Sequence, residues 1–296
     1  MPSTSNDHGR AFECMLVDRL LHDFLNLNQT ENCIRCQLRD REKIAALSTD
    51  IRYDMLSGSQ IISNWIISIL NTHTTYEIDR LDDTAAMVGD VTDICIYNDQ
   101  QHKRYNFSVK YNHNATKHQR IPALMQALGY EKNSREDILY RQEYENIKNN
   151  ILAEIAHRFP GTEQYSEIKS QNPTYIDEKI YFPLCTFYKN SINNNLNRDT
   201  LQNLFRFLVG NVGFYKCINF PKYVEIMDFT NISIPTECRI YLNNNSHIRI
   251  EFNNGFVLDM RLHTASSSFS GLSLKFDTQI LEYPENMEKI IYNKPR

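Results

Sequence analysis

The sequence has no apolar run long enough to cross a bilayer. Its longest apolar stretch, IISNWIISIL from Ile61 to Leu70, contains Ser and Asn and is far shorter than the ~20 residues that a membrane helix needs. The amino terminus, MPSTSNDHGR, lacks the charged start and apolar core of a secretory signal. We therefore expect a cytoplasmic protein with no membrane partner.

The chain also lacks an internal repeat and an excess of positive charge. Without a repeating period, collagen, coiled-coil and solenoid architectures are excluded. The net charge of −4 gives no overall attraction to a polyanion. A carboxylate cluster that binds a metal would, however, lower the total charge while local patches stay basic. The apolar fraction (41%) and the charged fraction (23%) are typical of a globular protein with a substantial core.

The cysteines do not form a disulfide framework or a clear metal site. There are 7 of them, scattered through apolar runs, which indicates reduced, partly buried thiols. Cys33 and Cys36 form one CxxC motif, but a zinc site needs a second pair of ligands at matching spacing. No such pair is evident in the sequence.

A first helix is predicted from Gly9 to Leu25, with Asn6 or Asp7 as its cap. At ~100° per residue, Glu13 falls in the middle of the apolar arc of this helix. A buried carboxylate is costly unless a partner compensates for its charge. Glu13 therefore either meets an arginine or a backbone amide at the edge of the core, or it is a metal ligand supplied by the first helix.

The rest of the chain predicts an α/β fold. Further helices are predicted near Asp40 to Met55, Ser59 to Leu70, Ser134 to Pro160 and Asp199 to Val209. Strands are predicted at Val91 to Tyr97, Tyr105 to Asn112, within Lys179 to Tyr188, and at His247 to Phe252, Phe256 to His263 and Leu272 to Leu281. We expect a core over residues 1–215, with a helical amino-terminal part and a helical insertion. A β-rich region over residues 216–296 would pack on it.

The first predicted hairpin brings acidic and basic side chains together. Asp93 opens one strand and Lys110 lies near the end of the next, so pairing of the strands places both at one end. Asp90 adds a carboxylate in the preceding turn. Phosphodiester hydrolysis needs an activated water and stabilisation of charge on the phosphate. Carboxylate-bound divalent cations and a nearby ammonium group provide both.

These residues carry a family resemblance. The strings GDVTDICIY and FSVKYN resemble the motif of PD-(D/E)XK nucleases, in which an Asp on one strand and an acid-x-Lys on the next bind Mg²⁺. Three further strings, HGRAFE, SVKYNHNATKHQR and MRLHTASSSFSGLSLKFD, resemble the HaeIII-like type II restriction endonucleases.

The resemblance implies a PD-(D/E)XK core, in which helices flank a mixed sheet, in a bacterial cytoplasmic enzyme. It also implies Mg²⁺ as the cofactor, double-stranded DNA as the substrate and no nucleotide cofactor. Cleavage would fall within a short palindromic GC-rich site such as GGCC and leave 5′-phosphates. A palindromic site suits a homodimer, because each subunit cuts one strand.

One position departs from the nuclease motif. Ser108 stands where the motif has an acid, and a hydroxyl is a poorer Mg²⁺ ligand than a carboxylate. Either the acid has migrated or Lys110 is structural. Glu13 is the first candidate for the migrated acid, Asp90 the second and Glu77 the third. The predicted catalytic residues are Asp93, Lys110, Asp90 and Glu13, with Asp93, Glu13 and Asp90 as metal ligands.

Basic and amide side chains near this hairpin and in the β-rich region are candidates for DNA contacts. They are Asn112, His113, Lys117, His118, Arg120, Arg249, Arg261 and His263. A solvated turn and an ordinary polar sheet face are the structural alternatives. The string QALGY (Gln126 to Tyr130) also resembles the QxxxY element of related exonucleases, although we favour the alternative in which a helix packs Tyr130 on the core.

Two other functions remain compatible with the sequence. A structure-specific or repair nuclease of the same fold would cut branched or single-stranded substrates. A non-catalytic DNA-binding protein would explain Ser108 as the mark of a decayed active site. Incubation with DNA and Mg²⁺ separates these functions from site-specific cleavage.

Overall fold

A computed structural model describes residues 4–81, 90–112, 115–269 and 271–295. The chain forms two compact units. The first unit comprises Met1–Asn114, Gly210–Ile232 and Asn286–Arg296, and the second comprises Ala115–Val209 and Ser233–Glu285. The expected division near residue 215 therefore differs from the observed one, because the helical segment 115–209 groups with the carboxy-terminal strands. Within the described ranges, no helix is both long and apolar enough to cross a membrane.

Helices and strands are mixed over the amino-terminal 119 residues, helices follow over residues 121–209, and strands follow from residue 215. The helices are α1 (Thr4–Asp23), α2 (Glu31–Ala45), α3 (Thr49–Ile69), α4 (Leu124–Ala127), α5 (Arg135–Arg158), α6 (Tyr165–Gln171), α7 (Phe182–Asn195) and α8 (Arg198–Val209). The strands are β1 (Leu27–Gln29), β2 (Tyr76–Arg80), β3 (Ile94–Asn98), β4 (Lys103–Tyr111), β5 (Ala115–Gln119), β6 (Tyr215–Asn219), β7 (Tyr223–Asp228), β8 (Cys238–Asn244), β9 (His247–Phe252), β10 (Val257–Thr264), β11 (Leu274–Glu282) and β12 (Lys289–Asn293).

The first unit contains a mixed sheet with the order β1-β2-β3-β4-β6-β7-β12. The β1–β2 and β4–β6 pairs are parallel, and the other pairs are antiparallel. Apolar side chains of α1, among them Phe12 and Leu16, share a buried core with Ile94 of β3 and Phe107 of β4. The sheet therefore fixes α1 near the β3–β4 pair, which carries the predicted site.

The helix boundaries near the amino terminus differ from the predicted ones. α1 begins at Thr4, so Asn6 and Asp7 lie inside the helix and do not cap it. Ser48, whose Oγ accepts a hydrogen bond from the Ile51 amide, caps α3. Ser59 was predicted to begin a helix but lies inside α3. Its buried hydroxyl donates to the Leu56 carbonyl (2.9 Å) and caps no helix.

The second unit contains an antiparallel sheet with the order β5-β11-β10-β9-β8. The predicted alternation is confirmed on β9, where Ile248, Ile250 and Phe252 are buried and the intervening side chains are partly exposed. The same pattern holds on β10. The predicted cap of α5 is also confirmed, since Ser134 Oγ accepts a hydrogen bond from the Asp137 amide (3.3 Å).

The predicted strand within Lys179 to Tyr188 is wrong. This segment is helical, with a π-helical turn at Ile176–Tyr181 followed by α7. The buried side chains of α7 are Leu184, Cys185, Phe187, Tyr188 and Ile192. Their spacing matches one face of a helix. The enrichment in aromatic residues favoured a strand, but the segment is helical because that face packs in the core.

Candidate active site

The β3–β4 pair brings Asp93 and Lys110 into direct contact. The Asp93 amide donates to the Phe107 carbonyl (2.9 Å), which extends the pairing of the strands by one residue before β3. Lys110 Nζ lies 2.9 Å from Asp93 Oδ2. The side chains of Lys110 and Asp93 are 27% and 21% exposed, so solvent and a substrate can reach the ion pair.

The Asp93 carboxylate is oriented by its neighbours on β4. Oδ2 accepts hydrogen bonds from the Val109 amide (2.7 Å) and from Ser108 Oγ (3.3 Å) as well as from Lys110. Ser108 is 2% exposed and its hydroxyl is directed to Asp93. The residue at the position of the expected acid therefore helps to fix the carboxylate of Asp93.

Glu13 of α1 is close enough to this pair to interact electrostatically with both members. Burial, followed by the Asp93 charge, raises the pKa of Glu13 to about 7 against the opposing effects of Arg80 and Lys110. The Glu13 carboxylate is 16% exposed and its Oε2 lies 2.8 Å from an Arg80 guanidinium nitrogen. The structural interpretation of Glu13, a carboxylate that meets an arginine, is confirmed, and its role as a metal ligand stays a prediction.

The other candidate acids are placed differently. Asp90 Oδ1 accepts a hydrogen bond from the Thr92 amide (2.9 Å), so this carboxylate stabilises the turn before β3. Glu77 is an exposed residue of β2 that pairs with Tyr97 and hydrogen-bonds its side chain. Glu77 lies away from Asp93, because it pairs with Tyr97 at one end of the β2–β3 pair. At the other end, Arg80 pairs with Ile94, the residue that follows Asp93.

The described ranges contain no group of three or more His, Cys, Asp and Glu side chains arranged to hold a metal. Asp93 and Glu13 are the two carboxylates that could hold a divalent cation here. The described hydrogen bonds to Asp93 are all accepted by Oδ2, and the described hydrogen bond to Glu13 is accepted by Oε2. The second oxygen of each carboxylate could therefore serve as a ligand. Mg²⁺ prefers such oxygens and usually keeps several waters, so one or two carboxylates suffice.

Lys216 of β6 is a buried lysine at this site that the sequence patterns did not reveal. It pairs with Ser108 across the β4–β6 register and is 1% exposed. Burial, followed by the Lys110 charge, lowers its pKa to about 7 against the opposing effects of Glu225 and Asp93. A lysine inside the apolar string FYKCINF was the available signal.

Among the predicted DNA contacts next to the hairpin, the structure describes two side chains. Asn112 is exposed at the end of β4 with a left-handed backbone (φ 51°). Its backbone amide donates to the backbone carbonyl of Asn219. Arg120 donates to Ser273 Oγ (2.8 Å) and to the Leu274 carbonyl within the second unit. His113 lies outside the described residues. Lys117 and His118 lie on β5, and their side chains are also outside the description.

Strands β9 and β10 place the remaining candidates on the polar side of the second sheet. Arg261 is exposed there. Arg249 of β9 lies 3.4 Å from Asp259 and is 22% exposed, so its guanidinium is partly engaged. His263 Nδ1 lies 2.9 Å from the Thr264 carbonyl, and burial lowers the pKa of this imidazole. Arg261 is therefore the most accessible of the three.

The QALGY string has a structural role in the second unit. Gln126 Nε2 donates to Asp137 Oδ1 (2.5 Å) at the start of α5. Tyr130 OH donates to Asn195 Oδ1 (3.4 Å) at the end of α7. Gln126 therefore links α4 to the start of α5. Tyr130, which is only partly buried, links the segment after α4 to the end of α7.

An acid and a lysine on paired strands, with a second acid supplied by a helix, form an arrangement suited to phosphodiester hydrolysis. The family model described as HaeIII restriction endonuclease matches residues 9–233. The chain therefore belongs to the HaeIII restriction endonuclease family of type II site-specific deoxyribonucleases. It is 23% identical over 321 aligned residues to the type II restriction enzyme HaeIII of Haemophilus aegyptius, covering 96% of each chain. No solved structure matches the chain.

Proposed function

We propose that the protein is a Mg²⁺-dependent type II restriction endonuclease with a PD-(D/E)XK core formed by the first unit. The observation that carries this proposal is the contact of Lys110 with Asp93 beside Glu13. Asp93 and Glu13 would hold the metal, and Lys110 would act on the water or the phosphate. Asp90 is assigned to the turn, because its carboxylate hydrogen-bonds the Thr92 amide.

The site residues have separate tasks in hydrolysis. A bound Mg²⁺ supplies Lewis-acid stabilisation of phosphate charge and lowers the pKa of water. Lys110 donates from its ammonium group toward negative charge on the phosphate or orients the attacking water. Asp93, fixed by the Val109 amide and by Ser108, holds Lys110 in place and keeps its other oxygen for the metal. Glu13 supplies the acid that the motif lacks at Ser108.

The proposed substrate is double-stranded DNA with a short palindromic GC-rich target such as GGCC. Arg261 supports recognition, because an exposed arginine on a strand can bind guanine through two hydrogen bonds in the major groove. Cleavage would leave 5′-phosphates. A homodimer in the bacterial cytoplasm, acting without a nucleotide cofactor, would match the symmetry of the target.

Incubation of the protein with phage DNA, in Mg²⁺ or in EDTA, tests the proposal. Discrete fragments in Mg²⁺ and intact DNA in EDTA are expected, and sequencing of the fragment ends defines the target. A smear of fragments would favour a structure-specific or repair nuclease. Intact DNA that still shifts on a gel would mean a DNA-binding protein with an inactive site.

A further inference from the structure

Arg80, the last residue of β2, is an arginine buried within the first unit. It is 1% exposed and is among the largest fully buried side chains of the described residues. Desolvation of a guanidinium is costly, and an apolar residue of similar volume often stabilises a fold as well or better. The contacts of Arg80 therefore call for a reason beyond stability.

The guanidinium of Arg80 joins three elements through well-formed contacts. One terminal nitrogen lies 2.8 Å from Glu13 Oε2 on α1 and 2.9 Å from Asp40 Oδ2 on α2. The other donates to Gln37 Oε1 (3.0 Å). Gln37 in turn donates to the Cys14 carbonyl (3.0 Å), the residue next to Glu13. The α2 helix thereby holds both the arginine and the segment of α1 that carries Glu13.

The backbone of Arg80 belongs to the same strand pair as Asp93. Arg80 pairs with Ile94, and the amide of the following Leu81 donates to the Asp93 carbonyl (3.0 Å). The position of Glu13 relative to Asp93 is consequently set through β2, and α1 alone does not determine it. Placement of a ligand by a rigid element is what a preorganised metal site requires.

We infer that Arg80 is a positioning residue for Glu13 and holds Oε2 so that the second oxygen of this carboxylate is presented to the metal beside Asp93. This inference rests on the proposed function. Outer partners that orient a ligand typically contribute about 10- to 100-fold to metal affinity. Arg80 donates through its guanidinium to two carboxylates and an amide, a pattern that a lysine ammonium cannot fully reproduce.

The test measures Mn²⁺ binding by the intact protein with calorimetry, together with the Mg²⁺ concentration that gives half-maximal cleavage. Arg80→Lys should weaken Mn²⁺ binding by about tenfold or more and raise the half-maximal Mg²⁺ concentration similarly. Cleavage should recover at high Mg²⁺, and DNA binding in EDTA should be unchanged. A second variant, Arg80→Met with Asp40→Asn, removes opposite charges together and should weaken metal binding without leaving Asp40 as an unpaired buried charge.

Arg39→Met is the matched control. Arg39 contacts the same Asp40 carboxylate (2.7 Å) but hydrogen-bonds Asp40 and not Glu13, so metal affinity should stay at the wild-type value. Wild-type Mn²⁺ affinity in both Arg80 variants, with weakened binding in Glu13→Gln, would overturn the inference and leave the proposed function intact. Absence of Mn²⁺ binding and of cleavage in the wild type would overturn both.

Discussion

Lys216 on β6 pairs in register with Ser108 on β4, so a buried amine lies beside the position where the nuclease motif has an acid. The charged groups that affect Lys216 come from three neighbouring strands, with Lys110 on β4, Glu225 on β7 and Asp93 just before β3. The strand next to β4 thus places a lysine beside Ser108, a position that no sequence motif indicated.

Lys216 should make the stability of the metal-free protein depend on pH. Its pKa falls from 10.5 to about 7 in the folded state, so between these values the unfolded chain binds a proton that the folded chain releases. The free energy of unfolding therefore rises with pH across this window, and the gain is lost as the pH falls toward 7.

Lys216→Met should flatten this dependence, because the group that titrates in this window is removed. Urea unfolding in EDTA near both ends of the window measures the effect. Lys222→Met, an exposed lysine in the β6–β7 turn, is the control and should keep the wild-type slope. An unchanged slope in Lys216→Met would contradict the assigned pKa.

Removal of either member of the Asp93–Lys110 pair should abolish cleavage. Asp93→Asn removes the proposed metal ligand and Lys110→Met removes the ammonium group, and each should lower the rate by at least about a hundredfold. DNA binding in EDTA, measured by gel shift, should remain. Lys103→Met, at the exposed start of the same strand, should cleave at the wild-type rate. Normal cleavage by either active-site variant would remove the site assignment.

Glu13 should make metal affinity depend on pH near neutrality. Its pKa of about 7 in the metal-free protein means that protons compete with the cation below this pH. Wild-type Mn²⁺ affinity should fall by about tenfold per pH unit below 7 and level off above it.

Glu13→Gln should bind Mn²⁺ weakly at every pH and require more Mg²⁺ for cleavage. Asp90→Asn, in the turn before β3, provides the comparison and should retain the wild-type metal dependence, because the side-chain carbonyl oxygen of the substituted residue can still accept from the Thr92 amide. Weak Mn²⁺ binding by Asp90→Asn together with wild-type binding by Glu13→Gln would assign the ligand role to Asp90.

Arg261 should contribute to the choice of target sequence. Arg261→Ala should cost ~1–3 kcal/mol of discrimination at one base pair, because a contact to a guanine edge is lost. Cleavage rates on a panel of single-base variants of the target measure this loss. Arg239→Ala, on the edge strand β8 of the same sheet, is the control, since its side chain is 77% exposed. Equal discrimination in both variants would make Arg261 an ordinary surface residue.

Local patterns predicted the parts of the fold that depend on neighbouring residues in the chain. Strict alternation identified β9 and β10, and the polar turn predicted between β3 and β4 aligned Asp93 with Lys110. The same patterns failed where distant packing decides. Ser59 lies inside α3, and the aromatic segment from Lys179 to Tyr188 is helical, because each buries a face against other elements.

By itself, the sequence determined the strand pair that carries Asp93 and Lys110 and the unusual carboxylate on the apolar face of α1. These features follow from side-chain periodicity, which is fixed by backbone geometry over a few residues. Only the tertiary structure decided that Arg80 meets Glu13 and that Lys216 lies beside Ser108. Their separations in sequence are large, and packing of helices and strands, which no local pattern encodes, brings them together.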